Sequence, residues 1–200
     1  FLATSAGGAV SSLCCANNPG MVGELDWQGR LTTPDVHAEV FKQLTDSLKI
    51  SKVTEVDFSS CGIGPVALGH LSDWVRDATG AIARLVLNGN MITGSSQDIH
   101  HPGRNWTYDL DLSGLIALCD ALPVLKNPIA LGLAHCGLSA NGVGLLAETI
   151  GAGAIDGIDL SGCRVEPTVS AQVLSAASDV SRRRLRTAQV LAFSFALHDR

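Results

Sequence analysis

Aromatic side chains are scarce in this chain, which has three Trp, one Tyr and five Phe among 200 residues. A core of stacked rings is therefore excluded, and the interior has to be assembled from Leu, Ile, Val and Ala. Charge is also sparse, at 16% of residues, and the net value of -5 lacks the Lys and Arg surplus that neutralises phosphates. General nucleic-acid binding is not expected on that ground. No run of about 20 apolar residues occurs, so no membrane-spanning helix is expected. There is no zinc-type Cys-x-x-Cys pair, no nucleophile–base arrangement, no phosphate loop of the required spacing and no evident pair of carboxylates. "GAGAIDG" at 151–157 follows a helical segment and precedes a strand, the reverse of the order a dinucleotide loop needs. The expectation is a non-enzyme with no cofactor and no metal.

The chain does have an apolar fraction of 46%, enough for a substantial core in one domain or one compact repeat array. It begins at Phe1 without an initiator Met, which leaves a processed chain, an excerpt, or a chain whose start is missing. The opening "FLATSAGGAVSSLCC" is mildly apolar, interrupted by Gly and Ser, and reads as a poorly regular lead-in over residues 1–21 rather than a residual targeting segment.

One pattern recurs: apolar, x, x, apolar, x, apolar, x, x, Asn or Cys, x, apolar. "VTEVDFSSCGI" carries it at Val53, Val56, Phe58, Cys61 and Ile63, and "IARLVLNGNMI" at Ile82, Leu85, Leu87, Asn90 and Ile92. "IDGIDLSGCRV" carries it at Ile155, Ile158, Leu160, Cys163 and Val165. "PIALGLAHCGL" misses only its first position, Pro128, and "VGELDWQGRLT" is a degraded copy through Val22, Leu25 and Trp27. Independent placement of residues yields roughly 0.6 strict matches in such a chain, so three with a near miss is not accident. The spacing predicts a short strand, then a turn whose buried backbone groups are satisfied by an inward amide at Asn90. Cys61, Cys136 and Cys163 take the same slot as small buried residues with a weak S–H donor.

In this signature the chain resembles the leucine-rich repeat family, in its ribonuclease-inhibitor-like subclass, over about residues 22–180. Copies at 53 and 82 are 29 residues apart and those at 128 and 155 are 27 apart, while the step from 82 to 128 implies an insertion of roughly 17 residues, at about 95–111. The resemblance implies an α/β solenoid of about five repeats, with short parallel strands on a concave face and helices on the convex face. Helices are expected after each strand. In "GPVALGHLSDWVRDA", Val66, Leu71, Trp74 and Val75 form the apolar stripe. "PDVHAEVFKQLTDSL", "LSGLIALCDAL", "SANGVGLLAETI" and "PTVSAQVLSAASDV" supply the others. Residues 181–200 read as a capping segment, with Leu191 and Phe193 inward.

Other features have bland readings. Cys14 and Cys15 are the only adjacent thiols, and the buried free thiols point to a reducing, intracellular compartment. In that compartment the sequon at Asn105 would be silent. His100 and His101 lie in a polar loop, and "SRRRLR" at 181–186 reads as a solvated helix end. The family likeness implies a protein-interaction scaffold or adaptor, a structural subunit of a larger assembly. Alternatives are a regulator of a small GTPase, as in the Ran GTPase-activating proteins of the subclass, or an excerpt of a longer receptor or inhibitor array. Positions between the inward ones give the contact residues: Glu24 and Asp26, Glu55 and Asp57, Arg84 and Asn88, and Asp159. The acidic flank favours a basic protein partner. Trp106 and Tyr108 in the insertion are added as aromatic anchors.

Overall fold

The computed structural model describes residues 10–78, 82–97, 106–151 and 154–163. Five short strands form one parallel sheet in which the spatial order follows chain order: β1 (Ser12–Cys14), β4 (Glu55–Asp57), β5 (Arg84–Val86), β8 (Ile129–Gly132) and β9 (Ile155–Asp159). Parallel neighbours need a crossover. The four that occur contain α1 (Ala38–Lys49), α2 (Pro65–Asp77), α3 (Ser113–Ala121) and α4 (Ala140–Gly151). Two antiparallel hairpins interrupt the alternation. β2 (Glu24–Leu25) pairs with β3 (Leu31–Thr33), and β6 (Ser96–Gln97) pairs with β7 (Trp106–Thr107).

The register explains the core. Leu13, Val56, Leu85, Leu131 and Ile158 stand opposite one another across the sheet, all in the apolar cluster shared with the helices. Each helix buries one stripe against them: Ala38, Phe41, Thr45 and Leu48 on α1, and Leu115, Leu118 and Ala121 on α3. With so few rings in the chain, only one aromatic pair is formed among the described residues, Phe41 edge-on to Phe58 at 5.3 Å. Most of the core is aliphatic, and each fully buried Leu or Ile contributes about 1.5–3 kcal/mol of transfer free energy. On α2 the expected stripe holds at Leu71, Trp74 and Val75 and fails only at Val66. Ala67, Leu68, Leu71, Trp74 and Val75 are buried, whereas Val66 in the first turn, after Pro65, faces solvent.

The turn slot works as its residue types require. The Asn90 amide is fully buried and satisfies four backbone groups at once. Its Oδ1 accepts from the N–H of Cys61 and Ile63 at 3.0 and 3.1 Å, and its Nδ2 donates to the carbonyls of Phe58 and Leu87 at 2.8 Å each. The thiols in the same slot reach back in the same direction with one bond each: Cys61 to the Cys15 carbonyl, Cys136 to Leu87 and Cys163 to Leu133, at 3.0 to 3.3 Å. Burial pushes the Cys61 thiol up to about 11 and that of Cys136 to about 12, as fits packed side chains rather than nucleophiles.

Candidate partner-binding surface

Two rows of side chains lie on the sheet face opposite the helices. One runs Ser12, Glu55, Arg84, Ala130, Gly157; the other runs Cys14, Asp57, Val86, Gly132, Asp159. Ladder bonds continue beyond the strands, so Ser59, Asn88, Ala134 and Ser161 follow as a third row. Of the residues expected to meet a partner, Glu55, Asp57, Arg84, Asn88 and Asp159 therefore share one surface.

Its middle is an open depression of about 560 Å³ bounded by Arg84, Val86, Asn88, Gly132, Asp156 and Asp159. The small residues in it are not equivalent. A Cβ on Gly132 would lie 2.9 Å from both Asn88 Oδ1 and Val86 Cγ1, so its bareness is filled by neighbours, and Val86 is only 6% exposed. Gly157 has open space instead. Asp156 is the extra residue of a bulge, because Ile129 pairs with Ile155 while Ala130 pairs with Gly157.

The two acids of the middle row are braced alike. Asp57 Oδ1 accepts from the N–H and hydroxyl of Ser59 at 2.9 and 2.6 Å, and Asp159 Oδ1 does the same with Ser161 at 3.0 and 2.6 Å. Those bonds hold the Asp159 carboxyl below its ordinary range, first through the Ser161 hydroxyl and then through its N–H; a charge on His135 adds to the effect. Where Gly132 occupies the acid position, the Ala134 N–H is met by Asn88 Oδ1 at 2.9 Å. The backbone leaves this face through a left-handed residue in every unit: Asn17, Ser60, Gly89, His135 and Gly162.

Glu24 and Asp26 do not belong to this surface. The segment read as a degraded strand of the sheet is the β2–β3 hairpin, and the first strand of the sheet lies earlier, at Ser12–Cys14, inside the stretch expected to be an irregular lead-in. Trp27, expected inward, is 89% exposed at the hairpin tip. The missed signal was legible: Val10, Leu13, Cys15 and Asn18 match the repeat pattern, and Asn18 Nδ2 donates to the Cys15 carbonyl as Asn90 does to Leu87. Two departures hid it, a Cys where the other copies have Phe or Leu, and Gly20 in the last apolar place.

The expected insertion is the β6–β7 hairpin, so it has strand pairing where no rhythm was read. Trp106 lies on β7 and Tyr108 just beyond it, half-buried and engaged with the rest of the chain. Neither is brought to the sheet-face rows by the strand register. His100, His101, Asn105, the last expected helix, "SRRRLR" and the cap at 181–200 lie outside the described residues. Among the described residues no three His, Cys, Asp or Glu side chains are grouped to hold a metal, and no helix is long and apolar enough to cross a membrane. Compared with protein-family models and with curated proteins, the chain matches none.

Proposed function

We propose that the chain is a leucine-rich repeat solenoid of the ribonuclease-inhibitor-like kind. On this reading it acts as an interaction scaffold, binding a protein partner on the concave sheet face, as a subunit of a larger assembly. The observation that carries this reading is the parallel sheet in chain order with a turn slot that reaches back to the preceding unit, which is how stacked repeats close a continuous core. Such stacking leaves one ordered face uncovered, and here that face holds Glu55, Asp57, Arg84, Asn88 and Asp159 around a depression with an open floor at Gly157. Acids outnumber bases on it, so a basic partner would be steered there and the association rate would fall with salt.

The test is a Glu55→Gln, Asp57→Asn double variant. Asn keeps the Oδ1 acceptor for Ser59, so the turn is preserved while charge is lost. Partners that co-purify with the wild-type chain are identified by mass spectrometry, and their association rates are then measured across salt. A slower on-rate with a flatter salt dependence in the double variant supports the reading. Identical rates at all salt concentrations remove the sheet face from the interaction, and accelerated GTP hydrolysis by a co-purifying GTPase replaces the scaffold with a regulator.

A further inference from the structure

We propose that the tip of the β2–β3 hairpin is a second docking element. Trp27 is its anchor, inserting into an apolar pocket edged by basic side chains on a protein partner. The inference does not rest on the sheet-face reading, because this hairpin is outside the five-stranded sheet.

Trp is highly buried on average, and a chain with only three of them exposes one at 89%. The exposure is held in place. Asp26 Oδ1 accepts the N–H groups of Gln28 and Arg30 at 2.8 and 2.9 Å, while its Oδ2 takes Arg30 Nε at 2.9 Å. The Asp26 N–H closes the loop on the Arg30 carbonyl at 2.8 Å, and Gly29 supplies the left-handed turn at φ 78°. With the backbone clamped on both sides, Trp27 offers a large contact area with little loop ordering left to be lost on binding. The base is equally fixed, with the Thr32 hydroxyl on the Glu24 carbonyl and the His37 N–H on the Val22 carbonyl.

Charge selects the pocket. The Asp26 carboxylate is closed on Arg30, so the excess charge of the hairpin is that of the exposed Glu24, three residues before Trp27. An apolar pocket lined at its mouth by Lys or Arg meets both the indole face and this acidic charge.

The test uses the full chain with a photoreactive amino acid at the exposed Gln28, leaving Trp27 intact, irradiated in a native cell extract. The expected result is one saturable adduct, mapped to a site bearing Lys or Arg. Excess unlabelled wild-type chain should compete it away, and Trp27→Ala should compete at least tenfold less well. Because the side chain is solvent-exposed, Trp27→Ala should keep the wild-type unfolding midpoint. The Glu55→Gln, Asp57→Asn double variant should compete for this adduct like the wild type, which separates this inference from the sheet-face reading. Equal competition by Trp27→Ala, an adduct with a second copy of the chain, or no saturable adduct overturns the proposal. So does Trp27-dependent binding to phosphatidylcholine–phosphatidylserine vesicles.

Discussion

The two hairpins are built alike at the base and carry different sequences between their strands. Each leaves the chain between a turn and a helix, in the first and third units, and each ends on an aspartate with positive φ, Asp35 at 65° and Asp109 at 53°. Both carboxylates cap a helix of the next unit. Asp35 takes the N–H groups of Gly64, Val66 and Ala67 at 2.8, 2.7 and 3.1 Å, at the start of α2. Asp109 takes the Ser139 and Gly142 N–H groups at 3.3 and 3.0 Å and the Ser139 hydroxyl at 2.6 Å, at the start of α4. In both cases a left-handed glycine in the following unit lies under the hairpin base, Gly62 below Pro19 and Gly23, and Gly137 below Ser95. The sequence carries the same period: Gly29, Arg30, Thr33 and Asp35 return as Gly103, Arg104, Thr107 and Asp109, each 74 residues later. The comparison teaches that the repeating element is a pair of units, one with a hairpin and one with the glycine and helix start that receive it. What is shared is the anchor; what differs is the sequence between the paired strands, where one hairpin exposes Trp27 and the other carries the longer "DIHHPGRN".

The largest effect should come from breaking the seat beneath the hairpins. A Cβ on Gly62 would collide with the Pro19 carbonyl oxygen and lie 2.7 Å from the Gly23 nitrogen, all rigid backbone. The left-handed conformation adds roughly 1–2 kcal/mol for any residue with a side chain. Gly62→Ala should therefore cost about 3 kcal/mol or more in denaturant unfolding, while Gly137→Ala meets only the Ser95 side chain and should cost about half as much. Equal losses would mean the two seats are equally rigid, and the comparison would fail at its base.

The caps come next. Asp35→Ala removes three bonds to the first turn of α2, one of them to the fully buried Ala67, and places alanine at positive φ. A lost cap costs about 0.5–2 kcal/mol and the strained backbone about 1 more, so a loss near 2–3 kcal/mol is expected. Asp109→Ala carries the same backbone strain but should lose less, about 1.5–2 kcal/mol, because one of its bonds is long and another goes to a hydroxyl that can turn to water. Asp35→Asn should recover most of the loss, since asparagine tolerates this conformation and keeps an acceptor. Urea midpoints at matched slopes decide the order.

How much of this was legible follows from which residues were unambiguous. Leu85, Leu87 and Asn90 announce a strand and its turn because a buried amide has few other uses, and the fold places them so. Glu24 and Asp26 were assigned to the wrong surface because "ELDW" alternates as any strand does, and alternation says nothing about which sheet a strand joins. The turn signal beside it, Asp26 three residues before Gly29, pointed to a hairpin. Val66 faces solvent because helical spacing already sets it off the stripe: Leu71 and Val75 lie five and nine residues on, whereas Ala67, Leu71, Trp74 and Val75 keep the i, i+4, i+7, i+8 spacing. Residue type alone makes the sheet face at Gly132 look bare, whereas Asn88 and Val86 fill it; only the register of β5 against β8 reveals that.

The smallest effect should appear at the tip of the β2–β3 hairpin, where the two sequences diverge. The Asp26 carboxyl is held below its ordinary value, chiefly by the Arg30 N–H, with further help from the Arg30 side chain and the Gln28 N–H. A depressed folded pKa means the carboxylate binds its proton later in the folded loop than in the unfolded chain. The clamp is therefore complete above the ordinary aspartate value of about 3.9 and is lost as pH falls through the lower folded value. The group is solvent-exposed, so global stability should hardly register the change. The backbone amides of Gln28 and Arg30 should register it, shifting together in an NMR titration below about pH 4 as the indole of Trp27 gains mobility. In Asp26→Asn the same amides should show no step, because nothing there titrates. If they do not move in the wild type either, the carboxylate is not what holds the tip, and the fixed geometry of this loop must come from Gly29 and the strand pairing alone.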